Sequence, residues 1–232
     1  MGISVCLIPA RGGSKRIPRK NVLQLNGKPL ISYSIRAALD SGIFDEVIVS
    51  TEDPEIKTIS LQAGAMVDDR PVHLAGDTAT KVQVVMEFLE RTHKERSYSF
   101  ITALLPTCPF RTGKHLKEAF DLFTKNPDTP FLIGVTEYEF PIQLSLTPEA
   151  GALMSMTFEN GYAVTRSQDI GKRFHPNGAM YMSTVEAFLK KGTFFSEKIL
   201  GYRMSAIRSF DIDHPYQFAI AEMLAKNIEN YE

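Results

Sequence analysis

The first 137 residues alternate short, continuously apolar runs with segments whose apolar residues recur every three or four positions. Nothing else in the sequence constrains the fold as strongly. A brief apolar run closed by turn residues reads as a strand buried on both faces, and the periodic segments read as helices with one apolar stripe. Strand, helix, strand in succession builds βαβ units, and so a doubly wound α/β fold of three layers with a mostly parallel sheet. The strands are expected at 3–9, 46–51, 65–67, 99–105 and 130–137. Helices are expected from Pro29 (Ile31, Ile35, Ala38 and Leu39 inward, stopping at Gly42), from Pro54, after a cap at Asp77 or Thr78, and over 111–123.

The alternation breaks at about residue 138. The stretch 138–175 mixes short apolar pieces with turn residues and reads as an excursion from the sheet, a β-hairpin arm. The main fold resumes at 178–183, continues in a strand at 199–204, and closes with a helix from Pro215 that turns Phe218, Ala221, Leu224 and Ile228 inward. With 232 residues and 44% hydrophobic content, the chain supports one domain over 1–232 with that arm as an appendage.

Lys and Arg (26) nearly balance Asp and Glu (27), so overall charge gives no reason to expect nucleic acid or a membrane surface as a partner. Cys6 and Cys108 are far apart and form no ligand-spaced cluster, which argues against a zinc site or disulfide framework and fits a reducing, cytoplasmic setting. The start has no cationic region before its apolar run, which is too short for a signal peptide. Gly2 invites a myristoyl reading, but Cys6 stands where Ser or Thr is required. No segment reaches the apolar length of a membrane span.

Against this balance, "IPARGGSKRIPRKN" (8–21) concentrates five cations in ten residues, at the carboxyl end of the first strand, where open α/β sheets bind ligands. Gly12 and Gly13 can let backbone N–H groups approach a phosphate. Arg11, Lys15, Arg16, Arg19 and Lys20 can neutralise several phosphate charges. The motifs GxxxxGK[ST] and GxGxxG are absent. A solvated basic loop is the bland alternative; the paired glycines after an apolar strand favour an anion site. In "SFDIDHPY", Asp211 and Asp213 alternate along an extended segment and face the same way, roughly 6–7 Å apart. Two such carboxylates can share Mg²⁺ with substrate phosphates. The alternative, that Asp213 caps the helix begun by Pro215, leaves Asp211 unexplained.

"PARGGSKRIPRKN", "GKPLISYSI", "FDEVIVST", "RP…LAGDTAT", "LLPTCPFRT", "FHPNGAMY" and "DID" occur in this order over essentially the whole chain. In them the chain resembles the CMP-sialic acid synthetases (acylneuraminate cytidylyltransferases) and relatives that activate other nonulosonic acids. The resemblance implies a nucleotidyltransferase-type sheet, with 138–175 as a dimerisation arm of a homodimer. It implies that CTP and a nine-carbon α-keto acid sugar, such as N-acetylneuraminate, give the CMP-sugar and pyrophosphate with Mg²⁺, or Mn²⁺ in its place. The catalytic residues implied are Arg11, Lys20 and Asp211. Ala10, Arg11, Gly12, Ser14, Lys15, Lys20, Asn21, Arg70, Asp77, Thr78 and Ala79 are implied for CTP, with Arg70 on the cytosine, and Asp211 and Asp213 for the metal.

On the sugar side the resemblance implies Leu105, Gln143, Arg166, Tyr181, Phe194 and Phe195, with Arg166 pairing with the carboxylate. Two positions depart from sialic-acid enzymes. Leu105 stands where they commonly carry Gln, and Gln143 where they often carry Lys. "TEYEFPIQ" and "TRSQD" look more like the pseudaminic-acid branch, and "PNGAMY" like the sialic branch. Pseudaminic or legionaminic acid is therefore the alternative substrate. A synthetase for the eight-carbon relative KDO and a non-catalytic CTP-binding protein are the remaining readings, opposed respectively by Lys20–Asn21 with "PNGAMY" and by the intact loop and acidic pair.

Overall fold

The computed structural model describes residues 2–158, 166 and 170–231. In β1 (Ile3–Pro9) four consecutive apolar residues are fully buried; Val5 and Leu7 face one layer of helices, Cys6 and Ile8 the other. That two-sided burial places the strand at the centre of the sheet. The chain continues through β2 (Gln24–Leu25), β3 (Lys28–Pro29), α1 (Leu30–Ser41), β4 (Glu46–Thr51), α2 (Pro54–Gln62), β5 (Met66–Asp69), α3 (Lys81–Arg96), β6 (Tyr98–Ala103), α4 (Gly113–Thr124) and β7 (Phe131–Glu137). It then runs through β8 (Leu146–Pro148), β9 (Met154–Met156), β10 (Phe174–Thr184), α5 (Val185–Lys191), β11 (Leu200–Arg203) and α6 (Pro215–Ala225).

Seven strands form one sheet in the order β11-β7-β10-β6-β1-β4-β5. Only β10 runs antiparallel to its neighbours. One face is covered by α1, α2 and α4 through Ile31, Ile35, Ile56, Leu116 and Phe123. The other is covered by α3 and α5 through Val85, Phe88, Leu89 and Phe188. A third apolar cluster, with Ile17, Leu25, Leu30, Phe110, Ile212 and Ala221, docks α6 beside the loop that follows β1. The three-layer, mostly parallel architecture read from the sequence is the one observed.

Several local expectations are corrected. Helix α3 is capped by Thr80, not by Asp77 or Thr78: the Thr80 hydroxyl accepts from the Gln83 N–H, and Gln83 Oε1 accepts from the Thr80 N–H, a complete capping box. Leu39 is 41% exposed, because the buried face of α1 is set by Leu30, Ile31, Ser34, Ile35 and Ala38. The β2–β3 hairpin was not anticipated, although Asn26 and Gly27, both at positive φ, form the two-residue turn that such hairpins favour. Helix α5 was likewise missed; it is a two-turn segment capped by Thr184 and ended by Gly192.

The excursion after β7 does contain an antiparallel hairpin, β8 with β9. It returns into β10 at the pairing of Phe174 with Glu137. Residues 159–165 and 167–169 of the expected arm, including most of "TRSQD", lie outside the described residues.

Helices α1 and α4 meet where α4 begins. A methyl group at Gly113 stands 2.7 Å from the Ser41 backbone nitrogen and 2.8 Å from the Asp40 carbonyl carbon. Neither atom can swing aside, so Gly113→Ala is expected to destabilise the fold by about 1–3 kcal/mol. Urea denaturation should show a lower midpoint at an unchanged slope; an unchanged midpoint would mean that the two helices separate freely.

Candidate active site

A cavity of about 590 Å³ opens at the carboxyl ends of β1 and β6. Its walls come from the loop after β1, the turn before α3, the loop after β6 and the segment before α6. Arg11, Lys15, Arg16, Lys20, Arg70 and Lys81 line it, against three carboxylates, Asp77, Asp211 and Asp213. Six cations facing three anions make it an electropositive pocket within a nearly neutral chain.

The loop after β1 is held by its backbone. The Ala10 N–H donates to Ser50 O at 3.0 Å, and the buried Asn21 Nδ2 donates to Arg11 O at 3.0 Å. Asn21 thus shapes the loop as well as lining the cavity. Gly12 is needed for a reason other than the one expected. Its N–H donates to Glu52 Oε1 at 2.8 Å rather than facing the cavity, and a Cβ there would stand 2.3 Å from Asp53 Oδ2. Gly13 has open space around it. Arg19 also departs from expectation. Its guanidinium bonds Asp53 and Glu55 at the start of α2, away from the cavity, and its φ of 56° lies in the left-handed region. The cations that do face the cavity are Arg11, Lys15, Arg16 and Lys20, with Ser14 beside them.

Asp211 and Asp213 share the cavity wall because Ile212 between them is fully buried in the third cluster, its N–H on Thr107 O at 2.9 Å. Asp213 does not cap α6. His214 is the cap residue, and Gln217 Oε1 accepts from the N–H groups of both Asp213 and His214 at 2.8 Å. The Asp213 carboxylate instead meets Lys20 Nζ at 3.1 Å and Arg16 at 3.1 Å. Burial alone raises its pKa; the Lys20 hydrogen bond and charge, with Arg16, outweigh this and hold it below the usual carboxylate range. Asp211 lies 3.6 Å from Cys108 Sγ and above Gly178, where a Cβ would come within 3.8 Å of its Oδ2. Cys6 and Cys108 are both free, and burial raises both thiol pKa values.

Across the cavity, Arg70 is 6% exposed and donates to Ser50 O; its Nε has no partner among the described residues. Burial lowers its pKa, partly offset by Glu52 and Asp68. Asp77 holds Arg11 at 2.9 Å and also pairs with Lys15, and these contacts, that of Lys15 foremost, lower its pKa. Arg11 donates as well to Gly76 O at 2.9 Å. Ala79 lines the cavity, whereas Thr78 is exposed outside its lining.

Of the residues implied for the sugar, Leu105 lines the cavity. Tyr181, 5% exposed, lies beneath Lys81, whose Nζ is 3.8 Å from its ring centroid. Phe194 is fully buried and packs on Tyr181 at 5.7 Å, so it supports the site from the core; Phe195 is 43% exposed, 6.3 Å from Tyr181. Gln143 donates to Gly171 O at 3.2 Å, and it and the exposed Arg166 lie outside the lining of this cavity. Lys81, Thr80 and Thr107 line it without having been anticipated. Thr80 was recoverable from its T-x-x-Q spacing before an apolar run. Lys81 carried no local signal.

Among the described residues no group of three or more His, Cys, Asp or Glu is placed to hold a metal. The Asp211–Asp213 pair fits a hard cation that takes its other ligands from phosphate oxygens and water, as Mg²⁺ does.

A parallel sheet that brings a polycationic glycine loop and an acidic pair together at its carboxyl edge is a nucleotidyltransferase framework. The family model described as "Cytidylyltransferase" matches residues 5–231, and the chain belongs to that family. It is 38% identical over 225 residues to a pseudaminic acid cytidylyltransferase of Campylobacter jejuni, covering 96% of both chains. It is 33% identical to an N-acylneuraminate cytidylyltransferase of Streptococcus agalactiae over 90% of this chain and 50% of that protein. Among solved structures, a CMP:2-keto-3-deoxy-manno-octonic acid synthetase complexed with CTP superposes with a TM-score of 0.72 at 17% identity, covering 98% of this chain and 100% of that one. A 4-diphosphocytidyl-2C-methyl-D-erythritol synthase from Anaerococcus prevotii gives 0.67 at 12% identity, over 97% and 99%. At those identities the structures share the fold. No helix among the described residues is long and apolar enough to cross a membrane.

The base of the loop yields a pH prediction. The Asp53 carboxylate accepts from the Glu55 and Ile56 N–H groups and from Arg19, and the Arg19 bond, outweighing burial, lowers its pKa. A carboxyl whose pKa is lowered by folding stabilises the fold above its unfolded value of about 3.9 and loses that contribution as pH falls through the folded value. Asp53→Ala should therefore cost about 0.5–2 kcal/mol at neutral pH. Its gap from the parent should narrow in acid below the carboxylate range. A gap that stays constant into strong acid in urea titrations would remove the charge from the explanation.

Proposed function

We propose that the protein transfers the cytidylyl group of CTP to the anomeric hydroxyl of a nonulosonic acid, giving the CMP-sugar and pyrophosphate. The observation that carries this reading is the meeting of loop and acidic pair at one cavity, joined at Lys20 and Asp213. Arg11, Lys15 and Lys20, with Ser14, hold the triphosphate and stabilise the charge that grows on the departing pyrophosphate. Arg11 and Lys15 exchange Asp77 for phosphate when CTP enters. Arg70 in the cavity wall reads the cytosine carbonyl, with the backbone near Ala79 as the acceptor for its amine. Asn21 keeps Arg11 in register. Asp211 and Asp213 would hold Mg²⁺ (or Mn²⁺ in its place), which would supply Lewis-acid stabilisation of developing charge.

Two relatives name the acceptor differently, as pseudaminic acid and as N-acylneuraminate. N-acetylneuraminate remains the reference acceptor. The apolar Leu105 in the cavity wall favours a second reading, in which pseudaminic or legionaminic acid is used as well or instead. The protein is taken to act as a cytoplasmic homodimer. Phe140, Leu146, Leu153 and Met154, all more than half exposed on or beside the β8–β9 hairpin, support a second copy as the arm's partner. Gln143 and Arg166 then serve the partner's site.

Pyrophosphate release from CTP against a panel of nonulosonic acids and KDO tests the reading. Asp211→Asn and Asp213→Asn keep size and remove charge, so both should fold yet lose turnover by orders of magnitude, and chelation should silence the parent. Full activity in both variants would take the pair out of the mechanism.

Leu105 can neither donate nor accept a hydrogen bond. An apolar site tolerates an added hydroxyl far better than a polar site tolerates its loss. The parent should therefore accept several nonulosonates in direct competition, and Leu105→Gln should shift its preference toward N-acetylneuraminate. Strict selection of N-acetylneuraminate, unaltered by the substitution, would leave Leu105 as packing.

A further inference from the structure

We propose that Lys81, rather than the Arg166 that the resemblance implies for it, is the cation that receives the carboxylate of the acid substrate, supplied by the same chain as the phosphate loop. The inference rests on the reaction proposed above and adds a residue to its acceptor side.

Among the six cavity cations, five are already engaged: Arg11 and Lys15 by Asp77, Arg16 and Lys20 by Asp213, and Arg70 by Ser50 O. Lys81 Nζ makes no hydrogen bond or ion pair among the described residues; it stands 3.8 Å from the centroid of the Tyr181 ring. Burial lowers its pKa, and the charge of Asp211 opposes that shift. Thr80 caps the helix that carries it and the Tyr181 ring lies under its Nζ, so the ammonium sits half-buried and without an anion among the described residues.

Its location selects the anion. The loop cations Arg16 and Lys20 reach the acidic pair through Asp213, while Asp211 faces Cys108 and the field of Lys81. Lys81 instead stands over Tyr181, which the resemblance implies for the sugar, in the same cavity wall as Leu105. In phosphoryl transfer the attacking and leaving oxygens lie roughly in line across the phosphorus. With pyrophosphate leaving toward the loop, the nucleophile enters from the opposite side, where Tyr181 and Leu105 mark the sugar's place and Lys81 stands over Tyr181. In the ring form of an α-keto acid sugar the carboxylate and the attacking hydroxyl share one carbon, so a cation beside the nucleophile meets the carboxylate.

The test uses steady-state kinetics with an accepted nonulosonic acid and its methyl ester, which masks the carboxylate. The parent should prefer the acid strongly. Lys81→Met should raise KM for the acid at least about tenfold, the size expected for loss of one charge-assisted contact, and leave KM for CTP unchanged. It should also erase the preference for acid over ester, and Lys81→Arg should restore part of that preference. Thermal melts of both variants establish that they fold; if Lys81→Met does not, Lys81→Gln takes its place. A folded Lys81→Met with the parent's acid-to-ester ratio, or a defect confined to CTP, would overturn the proposal. A parent that releases no pyrophosphate with any acid would instead overturn the reaction itself.

Discussion

Lys20 Nζ bonds to Ile212 O at 2.8 Å and to Asp213 Oδ1 at 3.1 Å, joining residues 192 and 193 positions apart. The cavity exists because of this clasp. The sheet brings the carboxyl ends of β1 and β6 side by side, but neither strand reaches the segment before α6. Lys20 draws that segment against the cationic loop, and the burial of Ile212 holds it there with both carboxylates turned to the cavity. The loop's cations would otherwise repel one another. Asp53, Glu55, Asp77 and Asp213 each take one or two of them. Most of these pairs are partly exposed and stabilise the fold little; what they fix is position.

The layered sheet was legible in the sequence because its signal is local and redundant. β1 and β4 coincide with the expected runs, and β6 and β7 match theirs to within two residues at either end. The loop and the acidic pair were legible for a related reason, since charge at the end of an apolar strand and an i, i+2 carboxylate pair need no tertiary knowledge. What escaped depended on partners distant in sequence. Nothing near Arg19 indicates that it turns to α2, and nothing near Gly12 indicates that Asp53 will crowd it. Lys81 looks like an ordinary first-turn helix residue until β10 brings Tyr181 beneath it, a hundred residues later. Thr80 with Gln83, and Asn26 with Gly27, by contrast carry local signals, a T-x-x-Q capping spacing and an Asn-Gly hairpin turn.

The segment "PNGAMY" acquires a physical meaning in the fold. The register of β10 against β7 shifts between Pro176 and Tyr181, and Asn177 stitches the irregularity internally. Its Oδ1 accepts from the Ala179 N–H at 3.0 Å and its Nδ2 donates to Ser209 Oγ at 2.8 Å. Gly178, at a φ of 75° that disfavours any side chain, then passes beneath Cys108 and Asp211, where a Cβ would stand a tight 3.2 Å from Cys108 Sγ. The bulge is the floor of the acidic site.

The excursion after β7 begins and ends on neighbouring strands. Glu137 pairs with Phe174, and the Tyr138 N–H donates to Arg173 O at 3.0 Å, so the sheet itself welds the two roots together. A loop closed in this way can gain or lose residues for an entropic cost that grows only with the logarithm of its length. Lengthening, shortening or rewriting this excursion leaves the register of β7 and β10 untouched, and with it the bulge that lies beneath Asp211. The part of the chain freest to diverge is therefore insulated from the part that can least tolerate change, and new surface chemistry can be sampled there while the nucleotide end stays fixed.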